Sequence, residues 1–331
     1  MYIFNLFSKN KSYSFVLFII KFKQKHKDIF LILLLLIIIS TPRNIIKNNI
    51  KICICAIAKK ENLYVREFVE HYKKLGYNNI FIYDNNKKFD ENIKDVIKDY
   101  IDIGFVRIIE FRETDTNITP QFKAYKDCYS NNNKFYDWLS FFDIDEFLEI
   151  NSKYNSIQDF LNDNIFKKCK NIKINWLWYF DKNILYYENE PLQKRIAKFV
   201  IDDYLNSHIK STVRGNLYKN YWEKLGNPHT SELNFLSCSS SGKKIKYNSP
   251  YIFPPDYTNA ILKHYSKKSF EEYCIKLKRG RADVKNDTKY QFINNSYQNL
   301  ILKNKYNSEK LKIINRIFNH SKNNYTDLNK K

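Results

Sequence analysis

The chain is most constrained by an alternation of apolar runs and amphipathic segments that begins near residue 50. Residues 50–57 (IKICICAI) are apolar on both faces except at Lys51, which is typical of a central parallel strand buried on both sides. Asn62 is placed to cap a helix whose apolar residues recur at helical spacing until Gly76, the expected stop. A further apolar run over 80–83 predicts the second strand.

The same alternation continues to residue 142. The further predicted elements are a helix over 93–101 that stops before Gly104, a strand over 105–109, a helix marked by Phe122, Tyr125 and Tyr129, and a buried strand over 138–142. Strand–helix alternation repeated four times predicts an α/β fold with a doubly wound, mostly parallel sheet. In such a sheet ligands bind at the carboxyl ends of the strands.

The net charge of +21 is concentrated in the two ends of the chain. Residues 1–51 hold nine Lys and Arg against one Asp, and residues 284–331 hold ten against three acidic residues. A nucleic-acid-binding protein needs a basic surface on its folded domain, so no nucleic-acid partner is expected. Basic ends are typical of a chain that lies near anionic lipid or that gains solubility from them.

Residues 29–39 form an unbroken apolar run that follows a Lys-rich stretch. As a helix this run spans roughly 17 Å, which is short for a hydrocarbon core of about 30 Å. Three interpretations stay open: a short signal anchor, a signal peptide with a poor cleavage site at residues 41–43, and a re-entrant or interfacial anchor. We expect residues 1–48 to be a basic, hydrophobic membrane anchor of one of these kinds.

The six cysteines include no CxxC pair. Cys53 and Cys55 alternate within the first predicted strand, which favours buried small apolar residues over a metal or redox site. The spacing of all six, at positions 53, 55, 128, 169, 238 and 274, does not indicate a disulfide framework. We therefore expect no disulfide framework.

Asp143 and Asp145 directly follow the strand predicted over 138–142. In extended backbone these two side chains share one face, while Ile144 points to the other. Paired carboxylates at the carboxyl end of a strand suit Mg²⁺ or Mn²⁺ bearing a phosphorylated ligand. The alternative is a chance pair of acidic residues at a strand end. An EF-hand loop is excluded, because Phe147 occupies its third ligand position.

Several other catalytic motifs are absent. No GxGxxG follows the first strand and no GxxxxGK[ST] occurs, which disfavours dinucleotide-binding and P-loop proteins. HExxH and GxSxG are also missing, and the six histidines include no closely spaced metal-binding pair. The D-x-D at Asp143 and Asp145 is therefore the motif on which a functional prediction depends.

A series of short segments between about residues 50 and 283 forms a recognisable order. The segments are residues 55–61, 66–72, 75–76 and 81–86, Gln121, Tyr125, Asp127-Cys128, 142–147, Asn175-Trp176, Phe180, 190–192, Arg195, 210–214, 264–269 and 278–280. Each segment is weak alone, and together they are fairly specific. In this order they resemble glycosyltransferase family 92 and its family-2-like relatives.

The resemblance implies a GT-A-type (Rossmann-like) fold, a doubly wound mixed sheet with a D-x-D metal site behind the N-terminal anchor. Residues 49–285 would form the glycosyltransferase domain, with a nucleotide-sugar half over 49–150 and an acceptor half over 151–285. Residues 286–331 form a basic Asn/Lys-rich tail. Leu311, Ile314 and Phe318 predict an amphipathic helix there, which either packs on the domain or lies on a membrane.

The resemblance also implies roles for individual residues. Asp143 and Asp145 would hold Mn²⁺ or Mg²⁺ on the donor diphosphate, with His264 as the third metal ligand. The residues expected to contact the nucleotide-sugar donor are Lys59, Asp84, Lys267, Lys278 and Arg279. Those expected to stack on the acceptor sugar are Trp176 and Trp178. Inversion at the anomeric carbon needs a carboxylate base, for which three candidates stay open: Glu190, Glu232 and Asp256.

We therefore expect a membrane-associated, metal-dependent hexosyltransferase that moves a sugar from a nucleotide-sugar donor, by resemblance a UDP-hexose, to a glycan or glycolipid acceptor with inversion. The alternatives are a family-2-like transferase that builds cell-surface polysaccharide from another donor, and a non-catalytic relative that binds nucleotide or carbohydrate. In a eukaryote the anchor implies a single-pass Golgi-type protein. In a bacterium the enzyme would act at the cytoplasmic face of the inner membrane.

Overall fold

The computed structural model describes residues 49–111, 119–217, 236–245, 249–280 and 289–319. The expected membrane anchor and the candidate base Glu232 lie outside these ranges. Among the helices within them, none combines the length and the apolar character that crossing a membrane requires.

The described strands and helices alternate as far as residue 141 and follow less regularly after it. The strands are β1 Ile52–Ala58, β2 Asn79–Asp84, β3 Val106–Glu110, β4 Trp138–Phe141, β5 Glu146–Ile150, β6 Asn171–Trp178, β7 Ile209–Arg214, β8 Ser237–Cys238, β9 Lys244–Ile245 and β10 Ala260–His264. The α-helices are α1 Asn62–Leu75, α2 Ile93–Val96, α3 Lys98–Asp102, α4 Pro120–Asn132, α5 Ile157–Leu161, α6 Leu192–Arg195, α7 Asp203–Asn206, α8 Phe270–Arg279, α9 Lys289–Lys303 and α10 Ser308–Asn319. A short 3₁₀ helix spans Asn164–Phe166.

The strands form one mixed sheet in the order β3-β2-β1-β4-β7-β6-β10-β5, with β8 beside β6 and β9 beside β8. Strand β1 runs parallel to β2 and β4, and β7 lies antiparallel between β4 and β6. Strand β10 is parallel to β6 and antiparallel to β5. The ends of β1, β2, β4, β6 and β10 and the starts of β5 and β7 therefore share one edge, called the carboxyl edge below. The predicted α/β fold with a mixed sheet is confirmed.

The core lies on both faces of β1, whose seven residues are all buried. Ile52, Ile54 and Ala56 belong to a cluster that includes the apolar face of α1. The opposite face of β1 packs against α4 through Cys55 and Cys128. The sequence prediction of a central strand covered on both sides is confirmed, and it fixes the position of the residues that follow β1.

Two local predictions need correction. Asn62 is the first residue of α1 rather than its cap, and Glu61 holds the cap position without a side-chain bond to the helix. The predicted helix over 93–101 is two short helices, because the backbone of buried Ile97 leaves the helical region at φ −126°. Gly76 ends α1 in the left-handed conformation at φ +98°, as expected.

The cysteine prediction was wrong for four of the six residues. Cys55 of β1 is bonded to Cys128 of α4, and Cys169 to Cys238. The partners are 73 and 69 residues apart in sequence, so no local spacing pattern reveals them. Cys53 and Cys274 are buried free thiols, so the packing interpretation holds for Cys53. Because disulfides persist in oxidising surroundings, this correction bears on where the protein works.

The C-terminal helices α9 and α10 pack together with α8. Ile313, Ile314 and Phe318 of α10 are buried in one cluster with Cys274 of α8 and Leu300 of α9. The amphipathic helix predicted around Ile314 is thus α10, and its apolar face lies on the protein. Residues 320–331 lie outside the described ranges.

Candidate active site

Asp143 lies just beyond the end of β4, at the carboxyl edge. Its Oδ1 accepts hydrogen bonds from Gln121 Nε2 at 2.8 Å and from the Tyr125 hydroxyl at 3.0 Å, both on α4. Its Oδ2 is 2.8 Å from Lys210 Nζ at the start of β7. Burial raises the pKa of Asp143, but Lys210 outweighs it and the net shift is downward. Asp143 is therefore an ionised carboxylate with donors on both oxygens.

Glu146 and Lys210 form a fully buried pair behind Asp143. Lys210 Nζ is 3.5 Å from Glu146 Oε2, and that oxygen also accepts a bond from the Asp143 amide at 2.9 Å. Burial raises the pKa of Glu146 well above its ordinary value, whereas the neighbouring carboxylates raise the pKa of Lys210 against the effect of burial. This pair holds the turn between β4 and β5, and thereby the direction of the D-x-D side chains.

Asp145 is buried and faces the C-terminal half of the chain. Its Oδ2 is 2.7 Å from Lys276 Nζ and 3.7 Å from Lys268 Nζ, and its Oδ1 is 3.7 Å from His264 Nε2. Burial raises the pKa of Asp145, but Lys276, Lys268 and His264 together hold it well below its usual range. Burial lowers the pKa of His264 to about 3, so its imidazole is neutral at physiological pH.

One face of helix α8 carries Lys276, which contacts Asp145, together with two other charged residues. Glu272, Lys276 and Arg279 are spaced at i, i+4 and i+7, which places them on the same side of the helix. Glu272 forms a capping box with Ser269 and is 2.7 Å from buried Arg195. The cap sets where α8 begins, and so directs Lys276 toward the D-x-D.

Arg279 links the end of α8 to the loop that follows β1. Its guanidinium donates to the carbonyls of Lys59 and Lys60 and to the Glu61 carboxylate, and Lys268 Nζ lies 3.6 Å from the same carboxylate. Lys60 and Lys268 both have positive φ, at 54° and 55°. Such non-glycine residues concentrate at functional sites, and here both lie in loops at the carboxyl edge.

The two candidate sugar-stacking tryptophans flank His264. The Trp176 ring centroid is 4.2 Å from that of His264, and its other stacking partner is His208, at 5.0 Å with nearly parallel planes. Trp178 lies edge-on to His264 at 5.8 Å. Both indoles are half-buried, so they form a wall beside Asp145.

The remaining donor candidates divide into two groups. Lys59 and Asp84 lie at the neighbouring ends of β1 and β2, where Ala58 pairs with Asp84. Lys278 is turned away, since its Nζ donates to the carbonyl of Ile317 on α10. Lys267 lies over the rings of Trp178 and Phe180, at 5.6 and 4.6 Å from their centroids.

Neither of the two candidate bases that the structure describes is placed like a general base. Glu190 is exposed and forms an ion pair with Lys194 one helical turn away. The Asp256 carboxylate accepts bonds from the hydroxyls of Ser239, Ser240 and Ser241. Burial raises the pKa of Asp256, but hydrogen bonds from Ser239, Ser241 and Thr258 outweigh burial and lower the pKa, so the carboxylate is a weak proton acceptor.

The donor set for a divalent cation is small. Among the described residues no group of three His, Cys, Asp or Glu side chains is arranged to hold a metal. The pair formed by Asp145 Oδ1 and neutral His264 Nε2 nevertheless fits Mn²⁺ or Mg²⁺, which commonly take one or two protein ligands and complete their shell with phosphate oxygens and water. Both Asp143 oxygens already accept bonds from protein donors, so its part in binding metal stays a prediction.

The charged residues nearest the D-x-D were largely missed from sequence. Lys210, Lys268 and Glu146 lie within segments that carry the family resemblance but received no role. Lys276 lies between two such segments. The helical spacing of Glu272, Lys276 and Arg279 was the signal that could have identified it.

Comparison with known proteins yields a family and distant structural neighbours. The model of glycosyltransferase family 92 matches residues 48–330. A family 92 protein of Ricinus communis is 27% identical over 113 residues, which are 33% of this chain and 19% of that protein. The chain thus spans about a fifth of the length of this curated relative.

The structural neighbours include TarS of S. aureus. The structure of TarS residues 1–349 with UDP matches at a TM-score of 0.37 and 11% identity over 76% of this chain and 72% of that one. The complex with UDP-GlcNAc matches at 0.35 and 10% identity, over 73% and 70%. Both similarities are too low to carry an argument about function. The family match spans most of the chain from β1 onward, and it shows that this chain belongs to glycosyltransferase family 92.

Proposed function

We propose that this protein is a glycosyltransferase that transfers a sugar from a nucleotide-sugar donor, a UDP-hexose in the first instance, to a glycan or glycolipid acceptor. The observation that carries the proposal is the convergence of Asp145, His264 and Lys276 at the carboxyl edge of the sheet. A diphosphate needs cationic partners, and a departing nucleotide needs stabilisation of its growing charge. Membership of glycosyltransferase family 92 supports the same reaction class.

The proposed site would use Mn²⁺ or Mg²⁺ held by Asp145 and His264. The bound ion would neutralise charge on the diphosphate as the glycosidic bond breaks. Lys276 and Lys268 would contribute from the protein side, because both amines lie within 4 Å of Asp145. Trp176 and Trp178 would form the sugar-facing wall and limit water beside His264.

The decisive experiment uses the full-length chain with a panel of UDP- and GDP-sugars, in the presence and absence of Mn²⁺, with and without oligosaccharide acceptors. Asp145→Asn tests the site. Asp102→Asn is the matched control, because Asp102 is an exposed residue paired with Lys98. Mn²⁺-dependent turnover of one donor that Asp145→Asn abolishes and Asp102→Asn leaves intact would support the proposal.

Other outcomes would contradict parts of it. Turnover that is indifferent both to EDTA and to Asp145→Asn would overturn the metal site. Folded protein that binds a donor but transfers nothing to any acceptor would indicate a non-catalytic relative. If the enzyme turns over a donor other than a UDP-hexose, the proposed donor is wrong and the proposed glycosyl transfer is retained.

We further propose that the domain that follows the expected membrane anchor in sequence works in an oxidising compartment. The two disulfides support a luminal or extracytoplasmic location over the cytoplasmic face of a bacterial membrane. Protein isolated from its own cells in the presence of an alkylating reagent should carry label on Cys53 and Cys274 alone after denaturation. Label on all six cysteines would place the domain in a reducing compartment.

A further inference from the structure

A cavity of about 350 Å³ lies between α8, α9 and α10 and shares with the donor candidates only Lys267. Its wall includes the rings of Phe180 and Phe270 and the amide of Asn304. It also includes three lysines, Lys267, Lys303 and Lys310, called the lysine triad below. A cavity of this size accommodates one monosaccharide with a substituent.

The lysine triad has no acidic partner among the residues that the structure describes. Within the ranges that the structure describes, none of the three amines forms an ion pair with Asp or Glu, and no carboxylate lines the cavity. Lys267 and Lys310 instead lie over aromatic rings, with Lys310 Nζ 4.9 Å from the centroid of Phe270. Other lysines of the same region do have partners, such as Lys312 with Glu309 at 2.8 Å.

Three cations around one cavity repel each other. Burial lowers the pKa of Lys267, and the nearby charge of Lys303 lowers it further. An anion in the cavity would replace this repulsion by attraction. The rings and amides of the wall are the groups that contact a sugar ring, so the lining favours a sugar that carries a negative charge over a bare ion.

The cavity adjoins the proposed sugar wall. The Lys267 amine contacts Trp178, and the Trp178 ring contacts His264, which lies beside Asp145. Lys267 is also the neighbour in sequence of Lys268 at the D-x-D. An occupant of the cavity would therefore lie on the acceptor side of the site.

From this geometry we infer that the cavity is a subsite for an acceptor sugar bearing a phosphate or carboxylate group, recognised by the lysine triad. The inference rests on the proposed function, because it names the acceptor class of that transferase. It also makes a prediction that needs neither donor nor metal, since the cavity is formed by the protein alone.

The test measures equilibrium binding of glucose 6-phosphate, glucuronate, glucose and inorganic phosphate to the full-length chain without donor or metal. Both charged sugars should bind better than glucose and inorganic phosphate. The double variant Lys303→Gln/Lys310→Gln should weaken their binding about tenfold or more, as expected for the loss of charge-assisted hydrogen bonds. The matched control is Lys305→Gln/Lys312→Gln, which removes two exposed lysines outside the cavity and should change binding less than twofold.

The other possible outcomes of the binding test either contradict the acceptor subsite or identify the charged group that it recognises. Equal losses in both double variants would mean attraction to overall charge, and binding of inorganic phosphate as tight as that of the sugars would mean an anion site without sugar recognition. A preference for glucose 6-phosphate or for glucuronate identifies the charged group. Donor hydrolysis in the absence of acceptor should be unchanged in Lys303→Gln/Lys310→Gln. If donor turnover fails while charged sugars still bind through the lysine triad, the proposed function falls and the subsite stands.

Discussion

Asp143 and Asp145 are two residues apart, yet the groups that neutralise them come from different parts of the protein. Asp143 accepts bonds from Gln121 and Tyr125, 22 and 18 residues away, and is neutralised by Lys210 of β7. Asp145 is neutralised from the C-terminal half, by Lys276 at a separation of 131 residues. Asp143 is thus held by the scaffold, whereas Asp145 lies between that scaffold and α8. The Asp143 side chain is 31% exposed and the Asp145 side chain 4%, so the part that each carboxylate plays in the reaction stays a proposal, which the variants below compare.

The sharpest test of this difference is Asp145→Asn. We expect kcat/KM to fall about 10³-fold, because the variant removes a charge from the proposed diphosphate site. The free energy of unfolding should also fall, by about 3 kcal/mol, because the variant removes a carboxylate that pairs with Lys268, and both side chains are 4% exposed. Steady-state kinetics and urea denaturation measure the two quantities. A loss below tenfold would show that Asp145 does not face the reaction.

Lys210→Met tests the surroundings of Asp143. Lys210 is 1% exposed, and its removal leaves Asp143 beside Glu146 without a cation. Breaking such a buried pair is expected to lower the free energy of unfolding by about 4 kcal/mol. Lys276→Met is the matched control and should cost about 1 kcal/mol or less. Equal costs in urea denaturation would mean that the two carboxylates are held alike.

The disulfides allow a comparison of two bonds with nearly equal separations. Replacing either pair by alanine should lower the free energy of unfolding by about 3 kcal/mol. Only the variant Cys55→Ala/Cys128→Ala should also lower activity, because α4 carries Gln121 and Tyr125 to Asp143. Cys169→Ala/Cys238→Ala is the control for stability loss alone. Equal activity in the two variants at a temperature where both are folded would contradict the role given to α4.

The smallest effect is expected at Glu272, which sets the start of α8. Burial raises its pKa, but Arg195, Ser269 and Tyr64 lower it to about 2. The folded-state pKa is below the unfolded value of about 4.3, so the ionised carboxylate stabilises the fold above pH 4.3 and this contribution is lost as pH falls toward 2. Glu272→Gln should therefore cost about 2 kcal/mol at pH 7 and progressively less between pH 4.3 and 2. A cost that is independent of pH would contradict the ion pair with Arg195.

The features that could be predicted from sequence are those formed by residues close together in the chain. Strand β1, helix α1 and the D-x-D position were predicted because their apolar periodicity is local. The disulfides and the lysines around Asp145 were not, because residues 69 to 131 positions apart meet only through the sheet order. The family resemblance supplied His264, which no spacing rule would select. The aromatic-rich segments after Trp176 have no simple period, and the base candidates there were chosen by charge alone.

The bonds from Arg279 to the loop after β1 join residues 220 positions apart. A growing chain emerges from its N-terminus, so β1 to β4 and the bonds around Asp143 have their partners long before α8 is synthesised. Pairings at such long range also form slowly, because the entropy of closing a large loop is lost before the new contacts stabilise the fold. We therefore expect Asp145 to acquire its cations late in folding, after β1 to β4 have paired.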